Sequence, residues 1–176
     1  MTLSLRTNRL LLQEMNEHDA ANMFALNNNP NVLQYTGDAP FKDIQEAKRF
    51  IAAYDQYKKY RIGRLSVYLI ENNKYLGWCG LKYHPKEDTV DLGFRFLEEE
   101  WNNGYAKESG LACLEYGFLK KEYPTIIARA DKRNFVSIRV INKLGFRYLK
   151  EELEEGRVWQ IFSLKKEDFV NQYSLQ

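Results

Sequence analysis

The arrangement with the clearest chemical meaning in this sequence is a glycine set just before a helix that carries a lysine in its first turn. Residues 91–107 read DLGFRFLEEEWNNGYAK. The first turn of a helix carries free N–H groups and the positive end of its dipole, so Lys107 is unfavourable there in isolation. Gly104 permits unusual backbone angles and close approach of another group. An anion docked on the first-turn amides would reconcile the glycine, the lysine and the turn. An ordinary Asn-capped helix with a stray lysine competes with that reading, because one glycine before a helix is a weak motif. Just upstream, Val90, Leu92, Phe94 and Phe96 alternate with Asp91, Gly93 and Arg95, which sends Asp91 away from the apolar face. A surface acid paired with Arg95 is the plain reading of that position. Glu152, in EELEEG, reads as part of a solvated charge run.

Other chemistries are poorly supplied. His18 and His84 are the only two histidines, too few for a zinc site or a histidine-based hydrolase triad. Cys79 and Cys113 sit in apolar contexts (YLGWCGL, GLACLEY) without metal-ligand spacing. Two small buried hydrophobes in a reducing compartment account for them. Lys+Arg total 26 against 24 Asp+Glu, and this balance favours neither nucleic acid nor a membrane surface as a partner. The cluster QYKKYRIGR reads as a helix end where cations meet the negative dipole end. No run approaches the roughly 20 apolar residues of a membrane span. The apolar run in MTLSLRTNRLLLQEM is too short and too soon charged for a signal peptide, so a cytoplasmic location is expected.

The elements that must position these residues follow from periodicity and breakers. The 176 residues are expected to form one domain, 1–176. RLLLQEM predicts a first strand, and NEHDAANMFALNN a helix with Asn16 as a candidate N-cap. Asn27 to Pro40 reads as a loop broken by Pro30, Gly37 and Pro40. A helix is expected from Asp43 to Tyr60 on the spacing of Ile44, Ala47, Phe50, Ile51 and Tyr54. LSVYLIE, KYLGWCGLKY and TVDLGFRFL then form a meander of three strands. A helix from Gly104 to about Lys121 carries a stripe of small residues, Ala106, Gly110, Cys113 and Gly117, suited to lying close on a sheet. TIIARA, a helix NFVSIRVINKL stopped by Gly145, and the strands FRYLKEEL and RVWQIFSL complete a mixed α/β (α+β) chain of about seven strands.

Two segments carry a resemblance to a known family. WNNGYAKES is similar to the acyl-CoA pyrophosphate loop of the GNAT acetyltransferase superfamily, in particular of its ribosomal-protein N-terminal acetyltransferase branch, whose pattern is close to W-G-x-G-Y-A-x-E. Downstream, NFVSIRVINKLGF resembles the second signature, N-x-x-S before an apolar helix and K-L-G-F, and RTNRLLLQEM and NNPNVLQYTG extend the similarity over nearly the whole chain.

The resemblance implies a strongly twisted mixed sheet with helices on both faces and a splay between the fourth and fifth strands. It implies acetyl-CoA as the acyl donor, with the pantetheine in the splay, paired with the backbone of DLGFRF at Phe94, Arg95 and Phe96. The pyrophosphate would lie on the loop of Asn102, Asn103, Gly104, Tyr105, Ala106 and Lys107, and Asn134 would touch the cofactor arm. Asn102 departs from the glycine more usual there, but asparagine tolerates left-handed backbone angles well. In the same way, Asp91 stands where many members carry a general-base glutamate, with Glu152 as a second candidate. Ser137 would assist the departing thiolate, since the helix tyrosine used by many members is replaced, at the aligned position, by Ile141. The implied reaction is direct acetyl transfer to a primary amine, a protein N-terminus or a small molecule. The alternative is a non-catalytic acyl-CoA-binding module, for which the missing tyrosine speaks. A homodimer is compatible with such folds but rests on no particular residue.

Overall fold

The computed structural model describes residues 2–173. Eight strands form one sheet in the order β1-β2-β3-β4-β5-β6-β8-β7. They are β1 (Ser4–Arg6), β2 (Leu10–Glu14), β3 (Arg64–Leu69), β4 (Lys74–His84), β5 (Thr89–Phe96), β6 (Thr125–Asp131), β7 (Arg147–Glu154) and β8 (Arg157–Lys165). The helices are α1 (Ala20–Leu26), α2 (Pro30–Leu33), α3 (Ile44–Ala53), α4 (Gln56–Tyr60), α5 (Tyr105–Glu115), α6 (Phe135–Lys143) and α7 (Lys166–Tyr173). All neighbouring strands pair antiparallel except β5 and β6, which are parallel and joined by the α5 crossover that parallel pairing requires.

The parallel pair creates the opening in the sheet. β5 and β6 are in register only at Asp91↔Ile127 and Leu92↔Ala128. Beyond those pairs, Gly93–Phe96 of β5 have no β6 partner among the described residues, while β6 stays paired with β8 out to Asp131↔Trp159. This is the splay expected between the fourth and fifth strands, renumbered by one because β1 was not foreseen. β1 offers only three residues to periodicity and becomes legible through its register on β2, Leu5↔Leu12.

The two sheet faces carry separate apolar clusters. On one, Leu65, Leu76, Leu81 and Leu92 pack with Cys113 and Leu114 of α5, Phe118 of the π-helical turn that continues it (Tyr116–Lys120), Ile141 of α6 and Phe169 of α7. The small-residue stripe does bring α5 close. A methyl on Gly117 would stand 2.7 Å from Ile126 Cδ1, and one on Gly110 would stand 2.9 Å from Leu144 Cδ1. On the other face Met15, Met23, Ala47 and Ile51 gather α1 and α3 over Trp78.

Three expectations about helices change. The helix expected over Asp43–Tyr60 is broken at Tyr54, whose ψ of 108° is extended. The break lets the Tyr54 hydroxyl accept from the Arg64 N–H at 2.9 Å and the Tyr57 hydroxyl donate to the Arg64 carbonyl. Pro30, expected as a breaker, opens α2 at its first position, where a proline loses nothing, behind Asn29 accepting from Asn31 N–H. α7 was not expected at all; it is anchored by Phe169, whose ring lies 5.0 Å from that of Phe118. Asn134 caps α6 by accepting from the Ser137 N–H at 3.1 Å. Asn134→Ala is therefore expected to cost about 1 kcal/mol, read as a lowering of Tm by roughly 2–4 °C.

Candidate active site at the splay of β5 and β6

Both strands of the parallel pair run directly into helix starts: β5 through a short loop into α5, and β6 through Lys132–Asn134 into α6. The crevice at the carboxyl ends of parallel strands is where open α/β sheets take ligands. The loop before α5 is built by its own polar groups. The Trp101 indole N–H donates to the Phe96 carbonyl at 3.0 Å, which ties the loop to the end of β5. The Asn103 amide donates back to the carbonyls of Glu100 and Trp101, so this asparagine does not cap α5. The N-cap is Gly104 at φ +80°, with no side chain bonded to the first-turn amides, and Asn102 adopts the left-handed φ of +64° that asparagine tolerates. Lys107 is exposed and has no anionic partner among the described residues. The amides of Tyr105, Ala106 and Lys107 thus form an uncapped helix start with the positive dipole end behind them.

The one acid of that first turn is turned away from it. Glu108 accepts from the Thr7 hydroxyl at 2.6 Å and from Nε of Arg9 at 2.7 Å. Arg9 also donates to the Asn103 carbonyl at 3.1 Å, and its guanidinium lies 4.8 Å from the Tyr105 ring centroid. Burial opposes ionisation of Glu108, but the Thr7 and Arg9 bonds outweigh it and hold the carboxyl below its ordinary range. This clamp leaves the helix start free of local negative charge. The sequence reading missed Thr7 and Arg9; the signal was two polar side chains bracketing the start of an apolar strand.

Across the crevice, Ser137 is half-buried in the first turn of α6, and its hydroxyl makes no hydrogen bond among the described residues. Phe96 is buried, and Phe94 is half-buried against the α5-side core. Arg95 projects its side chain to the face opposite the apolar residues, as the alternation predicts. There it donates to Asn27 Oδ1 and Asp38 Oδ2, each at 2.6 Å. Only its backbone faces the splay.

On that opposite face a cavity of about 270 Å³ is bounded by Asn27, Asp38, Phe41, Arg64, Trp78 and Arg95. The loop over it reaches toward the far strands, where Arg157 donates to the Gln34 carbonyl at 3.0 Å. Arg157 and Arg133 both bond Asp131 at the end of β6 and hold that carboxyl well below the usual range. The cavity and the crevice share the segment of β5 that contains Arg95.

Asp91 does lie off the apolar face, but it is neither a surface acid nor a partner of Arg95. It is 6% exposed, and both carboxylate oxygens accept from Nη2 of Arg64 at 2.9 Å. His84 Nε2 stands 3.0 Å from Oδ1. Burial raises its pKa, but Arg64 and His84 outweigh burial and bring it down to about 2. A carboxyl so acidic holds a proton too weakly at neutral pH to match a general base, whose effective pKa lies near the working pH. This geometry argues against the general-base expectation and makes Asp91 the counter-ion of Arg64. Gly93 makes room for the pair, since a Cβ there would meet the Arg64 guanidinium at 2.7 Å.

Glu152 does not join the site. It lies on the exposed edge strand β7, paired with Lys150 at 2.7 Å, with β8 and β6 between it and β5. Ile141 is 2% exposed and belongs to the core, so a tyrosine at 141 would point into the protein and not at the crevice. Cys79 and Cys113 are buried with their sulfurs 3.9 Å apart, in the core role expected of them.

A family model described as an acetyltransferase (GNAT) domain matches residues 9–147. The chain is 32% identical over 152 residues to the uncharacterized protein YkkB of Bacillus subtilis (strain 168), covering 83% of this chain and 86% of that protein. The chain belongs to the GNAT acetyltransferase family. Its fold is shared with a spermidine N-acetyltransferase from Vibrio cholerae solved with CoA and spermine, at a TM-score of 0.79 and 17% identity, over 94% of this chain and all (100%) of that one. RimL, a ribosomal L7/L12 alpha-N-protein acetyltransferase, matches at the same TM-score of 0.79 with 14% identity, over 94% of this chain and 95% of that one. Equal likeness to a polyamine enzyme and a protein-acetylating enzyme does not single out the ribosomal-protein branch. Among the described residues, no helix is long and apolar enough to cross a membrane.

Proposed function

We propose that this protein transfers the acetyl group of acetyl-CoA to a primary amine while both substrates are bound. The observation that carries the proposal is the uncapped, glycine-led start of α5 beside the unpaired edge of β5. The amides of Asn103 to Lys107 suit a pyrophosphate, Lys107 supplies a cation without a competing partner, and Gly104 leaves the backbone uncovered. The free backbone of Gly93–Phe96 suits the amide-bearing pantetheine arm, with Asn134 at the far wall of the crevice. The acceptor enters from the other face, through the cavity beside Arg95.

When bound, acetyl-CoA supplies a thioester carbonyl to the amine. A C–N bond forms as the C–S bond breaks, the amine proton leaves to water, and the thiolate takes up a proton. Holding two substrates in line supplies much of the rate. A peptide α-amine, with an ordinary pKa of about 7.7–8.0, is partly neutral at physiological pH; the amine of a free amino acid is more basic and loses its proton to water before it attacks. Asp91 serves as a positioning residue, fixing Arg64 in the wall of the acceptor cavity. Ser137 donates to the leaving sulfur in this reading, which its unpartnered hydroxyl in the first turn of α6 supports. Ser137→Ala is expected to lower kcat about tenfold or more while leaving acetyl-CoA affinity unchanged, measured by thiol release and by calorimetry. An unchanged kcat would remove Ser137 from the chemistry.

A further inference from the structure

Two arginines and one carboxylate wall the acceptor cavity, and the two arginines are used differently. Arg64 is committed to the protein: Nη1 donates to the carbonyls of Gly80 and Asp91, and Nη2 donates to both oxygens of the Asp91 carboxylate. Arg95 makes one bond from each Nη, to Asn27 and to Asp38. A guanidinium has five N–H donors, so three of those on Arg95 have no protein acceptor among the described residues. Its side chain is only 11% exposed, and its guanidinium carbon lies 5.2 Å from the Trp78 ring centroid. This is a rigid, partly unused donor fork inside a cavity, suited to planar recognition of a carboxylate.

The cavity is badly furnished for a polycation. Asp38 is its one acidic lining residue, is 55% exposed, and is already paired with Arg95. The rest of the wall is largely apolar, including Met15, Met23, Phe41 and Trp78. At about 270 Å³ it falls just below the roughly 300–1,000 Å³ of drug-sized ligand pockets. We infer that the acceptor is a small α-amino carboxylate with an apolar side chain, its carboxylate received by Arg95 and its side chain laid against Trp78 and Phe41. Arg95 lies on the part of β5 that parts from β6, so a carboxylate held there leaves the neighbouring amine at the crevice. The inference rests on the acetyl-transfer reading above.

The test is steady-state acetylation of phenylalanine, phenylalaninamide, phenethylamine and spermidine by the wild type, Arg95→Gln and Asp38→Asn, with acetyl-CoA binding titrated in parallel. Compared at equal concentrations of unprotonated amine, phenylalanine is expected to exceed its amide in kcat/KM by about tenfold or more, the equivalent of one good charged contact. Arg95→Gln should erase that preference by raising the KM for phenylalanine. Asp38→Asn should lower the same KM several-fold by removing the negative charge that competes for the fork. Equal rates for acid and amide, spermidine as the best acceptor, or a raised KM in Asp38→Asn would overturn the inference and leave acetyl transfer standing. Acetyl-CoA that fails to bind would remove the underlying reading itself, and binding without turnover of any amine would overturn both. Asp38 is exposed, so its variant decides the matter even if Arg95→Gln does not fold.

Discussion

Gly104→Glu is expected to weaken acetyl-CoA binding at least about a hundredfold in calorimetric titration, roughly 3 kcal/mol. A carboxylate introduced at the N-cap would face the same first-turn amides that a pyrophosphate needs, and would repel its charge. The side chain must also adopt the left-handed backbone of Gly104, at φ +80°, which costs an ordinary residue roughly 1–2 kcal/mol of stability. Gly104→Ala separates the two effects. A methyl there would stand 3.5 Å from Arg9 Nη2, an ordinary contact, and adds no charge. The alanine variant is expected to lose stability comparably and to bind acetyl-CoA within several-fold of wild type. Equal loss of binding in both variants would assign the effect to loop conformation. Wild-type binding by Gly104→Glu would place the phosphates elsewhere.

Asp91→Ala is expected to destabilise the fold by about 3–5 kcal/mol in urea titration, because it leaves the Arg64 guanidinium buried without its counter-ion. Acid sensitivity gives an independent reading. The pKa of Asp91 is lowered from 3.8 to about 2, so folding favours its ionised form. Its contribution is fully present above about pH 4 and is lost as pH falls through about 2. At 1.36 kcal/mol per unit this amounts to roughly 2 kcal/mol. Asp131 is also lowered and titrates in the acid range, so the difference between wild type and Asp91→Ala isolates the Asp91 part. The difference should shrink as pH is lowered from 4 to 2; a constant difference would mean that Asp91 is not ion-paired in solution.

Local rules made the strands around the site legible. The alternation in TVDLGFRF placed Asp91, Gly93 and Arg95 on the face opposite Leu92, and the glycine before α5 marked the uncapped helix start. The partners of those side chains were hidden because they come from strands and loops distant in sequence. Asp91 meets Arg64 across β4, Glu108 meets Arg9 ninety-nine residues away, and Arg95 meets Asp38 in the loop after α2. A partner changes what a residue can do. The same acid that periodicity offered as a surface charge, and the resemblance as a general base, is, beside Arg64, a fixed counter-ion. The break between α3 and α4 was equally unreadable, since no glycine or proline marks it and tyrosine hydroxyls bound to Arg64 impose it.

The most direct test of acetyl transfer is to incubate the purified protein with acetyl-CoA and a panel of primary amines, including phenylalanine, a short peptide and spermidine. CoA thiol release and the mass of each amine are followed together. One amine is expected to gain one acetyl group in step with thiol release, with both signals strongly reduced in Gly104→Glu. Thiol release without an acetylated amine would mean hydrolysis, and neither signal at saturating acetyl-CoA would contradict acetyl transfer by this chain.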